Sequence, residues 1–299
     1  MKKNILILGG TGFIGYHLAK KALKKKLSVT SISKNIPIKE RYLKNVNYII
    51  ADISKKELIK KKIKKNFDYV VNLAGYVDHS NKNEVNKSHY LGCRNIANFF
   101  LKKKIRSFVQ IGSSMEYGNV KSPIAENFKC NPISVYGKAK FLSTKYLLNL
   151  FKKKNFPVTI LRLFQIYGTH QDLNRFIPIT INSCINNKIF PCSHGKQYRD
   201  FLYVEDLIDA IFLIFNNKKS RGEIINIGYG TPLKVKNIIR TIVNLYGSGT
   251  PQLNMIKLRK EEQMIIYPNL NKAKRMLNWK PKINFATGLK KTISYYNNN

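Results

Sequence analysis

The chain has 299 residues, of which 43% are hydrophobic, and a formal net charge of +38. This length allows one large domain, or two closely packed ones, with a substantial core. No apolar run approaches the roughly 20 residues of a membrane span, and the run that follows Lys2 and Lys3 is too short for a signal peptide. The composition therefore favours a cytoplasmic globular protein over a membrane protein.

The positive charge is divided among short lysine runs. They lie near the ends of predicted helices, at residues 24–26, 60–62, 102–104 and 152–154, where cations complement the helix dipole. Lysine also rises together with asparagine and isoleucine along the whole chain, and no arginine-rich or basic–aromatic block stands out. We therefore favour a solvated basic surface that attracts anionic substrates over a specific nucleic-acid site.

The cysteines give no sign of a metal site. Cys93, Cys130, Cys184 and Cys192 lack C-x-x-C spacing, and the five histidines do not cluster with them. This pattern predicts reduced thiols in a cytoplasmic protein and no bound metal.

A glycine-rich turn follows the first predicted strand. Four apolar residues at positions 5–8 predict a buried parallel strand, and the next residues fit G-x-G-x-x-G before an apolar pattern with helical spacing. In this context the glycines predict a dinucleotide site, where the backbone approaches a pyrophosphate at a helix N-terminus. The predicted cofactor contacts in this turn are Gly9, Gly10, Thr11, Gly12, Phe13, Ile14 and Gly15.

The second predicted strand, at residues 27–33, ends without the acidic residue that bonds the ribose in NAD-binding units. Ser33 and Lys34 can instead accept a 2′-phosphate, which slightly favours NADP over NAD, unless Lys34 is an ordinary surface lysine. The third strand, at residues 46–51, leads to Asp52 and Ile53, which we predict to be cofactor contacts. Asp52 could equally cap the helix that follows.

The fourth predicted strand, at residues 67–73, ends where a cofactor can lie against the backbone. We predict contacts at Leu73, Ala74 and Gly75. His79, in the following loop, is a further candidate, although a lone loop histidine is more often an ordinary surface residue. Ligands of open α/β sheets bind at these strand ends.

A candidate catalytic set follows the fifth predicted strand, at residues 106–111. Tyr136 and Lys140 lie four residues apart in a predicted helix at residues 132–154 and share one face. A lysine ammonium favours the phenolate of a neighbouring tyrosine, which can then take a hydroxyl proton, and Ser113 can bond the same oxygen. Tyr-x-x-x-Lys pairs are frequent on lysine-rich surfaces, but the combination with Ser113 and the glycine turn is far more specific.

Taken in order, these motifs resemble those of the extended short-chain dehydrogenase/reductases, namely the NAD-dependent epimerase/dehydratase family of nucleotide-sugar enzymes. The resemblance covers essentially the whole chain and continues at residues 162–168, 199–206, 226–228 and 277–281. It implies an α/β fold with a Rossmann-type, doubly wound parallel sheet in residues 1–165. Residues 166–299 would form a smaller, mainly substrate-binding domain, from which segments near 200–228 return to the sheet.

The resemblance also implies roles for individual residues. Tyr136 would be the acid/base, Lys140 would bind the nicotinamide ribose, and Asp52 would contact the adenine. The partner would be a nucleotide-diphosphate sugar, and the protein would form a homodimer through two long helices. The implied substrate contacts are Ser113, which polarises the reacting oxygen, Ser114, Gln165, Arg199, which pairs with the diphosphate, and Arg259.

Departures from the family pattern narrow the expected reaction. Members that dehydrate the sugar carry Asp-Glu directly after the serine, where this chain has Ser114 and Met115. Glu116 is one position further and would face away on extended backbone, which disfavours a 4,6-dehydratase. The family's usual asparagine is Gln165 here, with a longer reach.

The expected function is an NAD(P)-dependent nucleotide-sugar epimerase or 4-keto-sugar reductase, with Tyr136 as acid/base. The alternative is a dinucleotide fold with a vestigial site that serves as a nucleic-acid or protein binding module. The high charge motivates that alternative, whereas the intact set of Ser113, Tyr136 and Lys140 argues against it.

Overall fold

A parallel sheet organises the protein, which a computed structural model describes at residues 2–76, 81–258 and 262–298; within these ranges the sheet has seven strands. The strands of the chain are β1 (Asn4–Leu8), β2 (Ser28–Ser33), β3 (Val46–Ile50), β4 (Tyr69–Asn72), β5 (Ser107–Ser113), β6 (Val158–Leu163), β7 (Gln165–Tyr167), β8 (Ile189–Pro191), β9 (Tyr198–Arg199), β10 (Phe201–Tyr203), β11 (Ile224–Ile227), β12 (Leu233–Lys234), β13 (Thr250–Gln252) and β14 (Ile265–Ile266).

The order in the main sheet is β3-β2-β1-β4-β5-β6-β11, and every neighbouring pair is parallel. Strand order reverses between β1 and β4, which makes the sheet doubly wound and opens a crevice at the carboxyl ends of these strands. The predicted α/β class and Rossmann-type sheet are therefore confirmed.

Helices cover both faces of this sheet, and other helices form a separate cluster beside it. They are α1 (Phe13–Lys24), α2 (Lys56–Lys62), α3 (Lys82–Asn86), α4 (Gly92–Leu101), α5 (Val135–Lys154), α6 (Phe176–Ile185), α7 (Val204–Ile214), α8 (Val235–Tyr246), α9 (Asn271–Leu277) and α10 (Phe285–Asn297). None of the helices in the described ranges combines the length and hydrophobicity that a membrane crossing requires.

The core forms layers. Apolar residues of α1, α7 and α9 pack on one face of the sheet, and those of α2, α4 and α5 pack on the other. A further cluster joins α6, α8 and α10 around β10. Residues 204–227 contribute α7 and β11 to the layers of the main sheet. The division of the chain at residue 165 stays a prediction.

The helical segment between β4 and β5 is not regular throughout. The segment begins as α3, passes through a π-helical turn at Lys87–Leu91 and continues as α4. The hydroxyl of Ser88 donates to the carbonyl of Glu84 at 2.8 Å and so competes with the regular helical ladder. The turn is also where His89 enters the interior, with 5% of its surface exposed.

Candidate active site

The turn after β1 is packed too closely for side chains. Gly9 has a φ of +78°, and a Cβ on it would lie 2.9 Å from the backbone nitrogen of Ala74. A Cβ on Gly15 would lie 2.4 Å from the carbonyl oxygen of Gly9, because α1 begins directly against the turn. Gly12 occupies the N-cap of α1. Because it has no side chain, it cannot accept hydrogen bonds from the N–H groups of the first helical turn. This cradle fits a dinucleotide pyrophosphate.

The ends of neighbouring strands bring the other predicted cofactor residues to this turn. The backbone N–H of Thr11 donates to the Ser33 hydroxyl at 3.3 Å, and that of Leu73 donates to the carbonyl of Leu8 at 2.9 Å. Ile53 is buried behind them, with 6% of its surface exposed. Phe13 and Ile14 form the start of α1.

An ion-pair network lies at the end of β2. The Lys34 Nζ is 3.2 Å from a carboxylate oxygen of Asp52 and 3.0 Å from one of Glu84. The other Asp52 oxygen accepts the N–H of Ser54 at 2.8 Å, within the turn that precedes α2. The N-cap of α2 is Lys55, so Asp52 does not cap that helix. Burial disfavours both charges, but hydrogen bonds outweigh it, so they raise the pKa of Lys34 and lower the pKa of Asp52.

The candidate catalytic residues meet where β5 faces the start of α5. Lys140 is buried, and its Nζ donates to the carbonyl of Ile111 at 2.7 Å and lies 5.7 Å from the centroid of the Tyr136 ring. A Cβ on Gly137 would lie 2.4 Å from the carbonyl oxygen of Met115, so α5 starts in contact with the turn after β5. The structure therefore brings this helix face to the end of β5.

Ser113 is the last residue of β5 and its hydroxyl oxygen accepts the N–H of Met115 at 3.2 Å. Accepting this bond leaves the hydroxyl proton for donation to a ligand. His89, which the sequence did not single out, packs edge-to-face against the Tyr136 ring at 5.0 Å between centroids. A Cβ on Gly75 would lie 2.1 Å from the His89 ring, so His89 connects a predicted cofactor contact with the candidate acid/base.

Glu116 joins three elements behind the site, and the extended backbone on which its predicted orientation depended does not occur. Residues Ser114–Glu116 form a 3-10 turn rather than extended backbone, which directs the carboxylate inward. One carboxylate oxygen accepts the Ser113 N–H at 2.9 Å; the other accepts the Thr144 hydroxyl at 2.8 Å and the Arg162 Nε at 3.0 Å. Glu116 and Arg162 have exposed side-chain fractions of 0% and 1%.

Thr144 was also missed, although the sequence carries a signal for it. It follows Lys140 by four residues, as Lys140 follows Tyr136, so the three side chains share one face of α5. Burial disfavours the Arg162 cation, but the Glu116 carboxylate outweighs it and raises the pKa of Arg162. Arg162 thus stays charged inside the protein.

The predicted substrate residues are more dispersed. Arg199 lies in β9 and is 7% exposed; its guanidinium pairs with the carboxylate of Glu262 and donates to the carbonyl of Tyr198 at 2.8 Å. Gln165 begins β7 with an exposed side chain, and Ser114 is half-buried in the turn after β5. Arg259 and His79 lie outside the described residues.

Asp200 is a buried carboxylate beside Arg199. Its oxygens accept the N–H groups of Tyr229 at 2.7 Å and Gly230 at 2.6 Å, just after β11. Burial raises the pKa of Asp200 to about 7, although the two hydrogen bonds oppose the shift. Asp200 therefore ties β9 and β10 to the end of the main sheet.

The described residues hold no group of three or more His, Cys, Asp or Glu side chains placed to bind a metal ion. The four cysteines are free thiols, three of them buried. The candidate catalytic side chains near the end of β5 are the hydroxyl of Ser113, the phenol of Tyr136 and the ammonium of Lys140.

Comparison with known proteins agrees with this geometry. The model of the NAD dependent epimerase/dehydratase family matches residues 5–228. A Methanocaldococcus jannaschii protein, provisionally named as a UDP-glucose 4-epimerase, is 31% identical over 313 aligned positions, which cover 99% of each chain. The dTDP-D-glucose 4,6-dehydratase of Mus musculus is 26% identical over 99% of this chain and 89% of its own length.

Solved structures resemble the fold over its full length. The structure of a UDP-glucose 4-epimerase from Thermotoga maritima with UDP-glucose has a TM-score of 0.91 and 25% identity, and the match covers 99% of each chain. Epimerases and a dehydratase thus stand among the relatives.

Proposed function

Because the chain belongs to the NAD-dependent epimerase/dehydratase family, we propose that it is an NAD-dependent epimerase that inverts a hydroxyl-bearing carbon of a pyrimidine nucleoside diphosphate hexose. The observation that carries this proposal is the contact between the end of β5 and the face of α5 that holds Tyr136 and Lys140, beside the glycine cradle. The names of the relatives support UDP or dTDP as the nucleotide.

The residues divide the proton chemistry among themselves. Gly9, Gly12 and Gly15 would hold NAD, which would supply reversible hydride transfer at the carbinol carbon. Tyr136 takes the hydroxyl proton and later returns it, while Ser113 donates a hydrogen bond to the same oxygen. The Lys140 ammonium is held at the Ile111 carbonyl, 5.7 Å from the centroid of the Tyr136 ring, where its positive charge can orient the reacting groups.

Glu116 acts in this proposal as a positioning residue. Its carboxylate holds the Ser113 backbone on one side and Thr144 of α5 on the other. Both carboxylate oxygens are thus engaged inside the protein, so Glu116 is not placed to take a substrate proton. Ser114 and Met115 carry no carboxyl group either, which supports the preference for epimerisation over dehydration.

The network at the end of β2 supports NAD rather than the NADP that the sequence slightly favoured. Two carboxylates already surround the Lys34 ammonium. A 2′-phosphate would meet the negative charges of Asp52 and Glu84, whereas the hydroxyls of an unphosphorylated ribose can donate to them.

Arg199 is the proposed diphosphate ligand, because a planar guanidinium matches phosphate oxygens. When the diphosphate binds, Arg199 would have to break its ion pair with Glu262 or contact the carboxylate and the phosphate together. We also propose the homodimer that the resemblance implies; Leu91, beside α4, and Leu142, on α5, are 38% and 42% exposed.

The first experiment identifies the cofactor that leaves the purified protein on denaturation and measures conversion of UDP-glucose, UDP-galactose and dTDP-glucose by mass spectrometry and chromatography. We expect bound NAD, an epimer of unchanged mass, and no conversion by Tyr136→Phe. Bound or preferred NADPH with turnover of a 4-keto sugar would indicate a reductase instead. A product that has lost one water would indicate a dehydratase, and failure to bind either cofactor would contradict the enzymatic proposal.

A further inference from the structure

The lysine runs that look scattered in the sequence meet at one edge of the sheet. Each run comes shortly before a strand of the main sheet, and since all these strands are parallel, their starts lie at the same edge. We define the basic edge as the eighteen lysines at residues 2–3, 24–26, 60–65, 102–104, 152–154 and 218–219.

Direct contacts show that this edge is continuous. The Ser28 N–H, at the start of β2, donates to the carbonyl of Lys3 at 3.0 Å. Arg106, before β5, pairs with Asp68, before β4, at 3.0 Å, and Arg221, before β11, donates to the Arg106 carbonyl at 2.9 Å. With strands about 4.8 Å apart, seven strands make an edge about 30 Å wide.

The charge of the basic edge is exposed and weakly compensated. All eighteen lysines are exposed. The neighbouring carboxylates of Glu57, Asp68 and Glu223 already form ion pairs with cations of the protein. An open depression of about 650 Å³ lies between Lys2 and Lys26, so ammonium groups line a recess as well as the rest of the edge.

We infer that the basic edge binds the surface of an anionic lipid bilayer. Exposed lysines are mobile point charges that suit dispersed lipid phosphates, and such cations near a negatively charged membrane surface add to its affinity. Base stacking has little support here. The nearby rings of Phe67 and Phe156 are only 5% and 2% exposed, and the half-buried rings of Phe99 and Phe212 are already contacted by the ammonium groups of Lys103 and Lys25. Lipid therefore fits this edge better than nucleic acid.

The orientation leaves the candidate active site accessible. The glycine cradle and Ser113 lie at the carboxyl ends of the strands, on the opposite edge from the lysines. β5 has seven residues, which separate the two edges by about 20 Å. Contact with a bilayer through the basic edge would thus hold the enzyme at a membrane surface with the substrate entrance facing away, and this inference does not depend on which sugar is converted.

The test is sedimentation of the full chain with lipid vesicles at near-physiological salt, with phosphatidylcholine alone or mixed with phosphatidylglycerol. An edge variant changes the six lysines at residues 24–26 and 102–104 to glutamine. A control variant with the same net charge changes six exposed lysines elsewhere to glutamine, namely Lys129, Lys188, Lys196, Lys257, Lys280 and Lys290. We expect binding only to the mixed vesicles, weakened at least about tenfold in the edge variant and less than about threefold in the control.

Equal weakening of both variants would contradict a dedicated edge and leave only bulk charge, and absence of wild-type binding to the mixed vesicles would overturn the inference. So would tighter binding of wild type to duplex DNA or RNA than to the vesicles. A second measurement needs no variant: vesicles should protect the lysines of the basic edge from acetylation, mapped by mass spectrometry, while the six control lysines react as before. Equal protection of both sets would count against the inference.

Discussion

At the scale of single residues, the chemistry of a side chain depends on partners that are distant in the sequence. Lys34 was interpreted as a 2′-phosphate ligand from its position after β2. Glu84, fifty positions later, and Asp52 both form ion pairs with the Lys34 ammonium. A sequence pattern identifies the end of β2, but it does not identify the carboxylate that α3 brings there. Whether the Lys34 charge is already paired therefore follows only from the fold.

Glu84→Gln should shift cofactor preference towards NADPH. It removes one of the two negative charges beside Lys34, which then becomes a better partner for a 2′-phosphate. We expect the NADPH-to-NADH affinity ratio to rise about fivefold in fluorescence titrations, the size typical of one exposed charge pair. Glu57→Gln, which removes another carboxylate paired with a lysine, is the matched control and should leave the ratio unchanged. An unchanged ratio in both variants would count against the role of Lys34.

Asp200 should make stability depend on pH. Its pKa is raised to about 7 in the folded state, so the protonated form is favoured by folding. This contribution is complete below the ordinary pKa of an aspartate and is lost as pH rises through about 7. Urea unfolding from about pH 5 to about pH 8 should show a steeper loss of stability in wild type than in Asp200→Asn, which does not titrate there. Parallel pH profiles would show that Asp200 stays ionised throughout.

At the scale of elements, the strongest sequence signals were those with local causes. The apolar run of β1, the glycine turn and α1 are adjacent in the chain, and the structure places them as expected. β6 was not identified as a strand, because Arg162 interrupts its apolar pattern, and only the buried carboxylate of Glu116 explains that charge. Likewise, the π-helical turn that carries His89 has no periodicity by which a sequence could reveal it.

The joint between β5 and α5 can be tested with Thr144→Val, which keeps the side-chain shape but removes the hydrogen bond to Glu116. If Glu116 aligns Ser113 with Tyr136, we expect kcat to fall about tenfold with little change in KM, because misplacing a reacting group affects the transition state most. Thr144→Ser retains a hydroxyl and should restore most of the activity.

Thr159→Val is the control for that experiment. Thr159 is also buried and donates to a backbone carbonyl, that of Ser220, at 2.9 Å, at the opposite end of the main sheet from Ser113. Its loss should lower the free energy of unfolding by about 1 kcal/mol without changing kcat. If kcat fell equally in both valine variants, the fall would reflect a general loss of stability rather than a role of the contact between β5 and α5.

At the scale of the whole molecule, the C-terminal segment connects the core layer that contains α7 with the cluster that contains α10. Trp279 is 3% exposed, and its indole N–H donates to the backbone carbonyl of Asp206 in α7 at 3.1 Å. The Asp206 carboxylate in turn accepts the N–H groups of Lys282 and Ile283, just before α10. Residues near 280 therefore link the layer of α7 to that of α10.

Trp279→Ala should consequently destabilise the whole protein. Removing a buried indole leaves a cavity and removes its hydrogen bond to Asp206, and we expect a loss of about 3–5 kcal/mol in the free energy of unfolding. Trp279→Phe keeps most of the apolar volume and should cost less. Chemical unfolding followed by circular dichroism measures both; similar small losses would mean that this segment contributes little.

The return of β11 to the main sheet has a consequence for how the protein can be divided. β6 lies between β5 and β11, so a fragment that stops at residue 165 would expose one complete backbone ladder of β6. It would also lack α7, which covers the sheet beside α1. Such a fragment would pair its open ladder with another copy and aggregate. We therefore expect residues 1–165 to fold only together with the half that follows them, so that the chain cannot be recombined with foreign partners at that boundary.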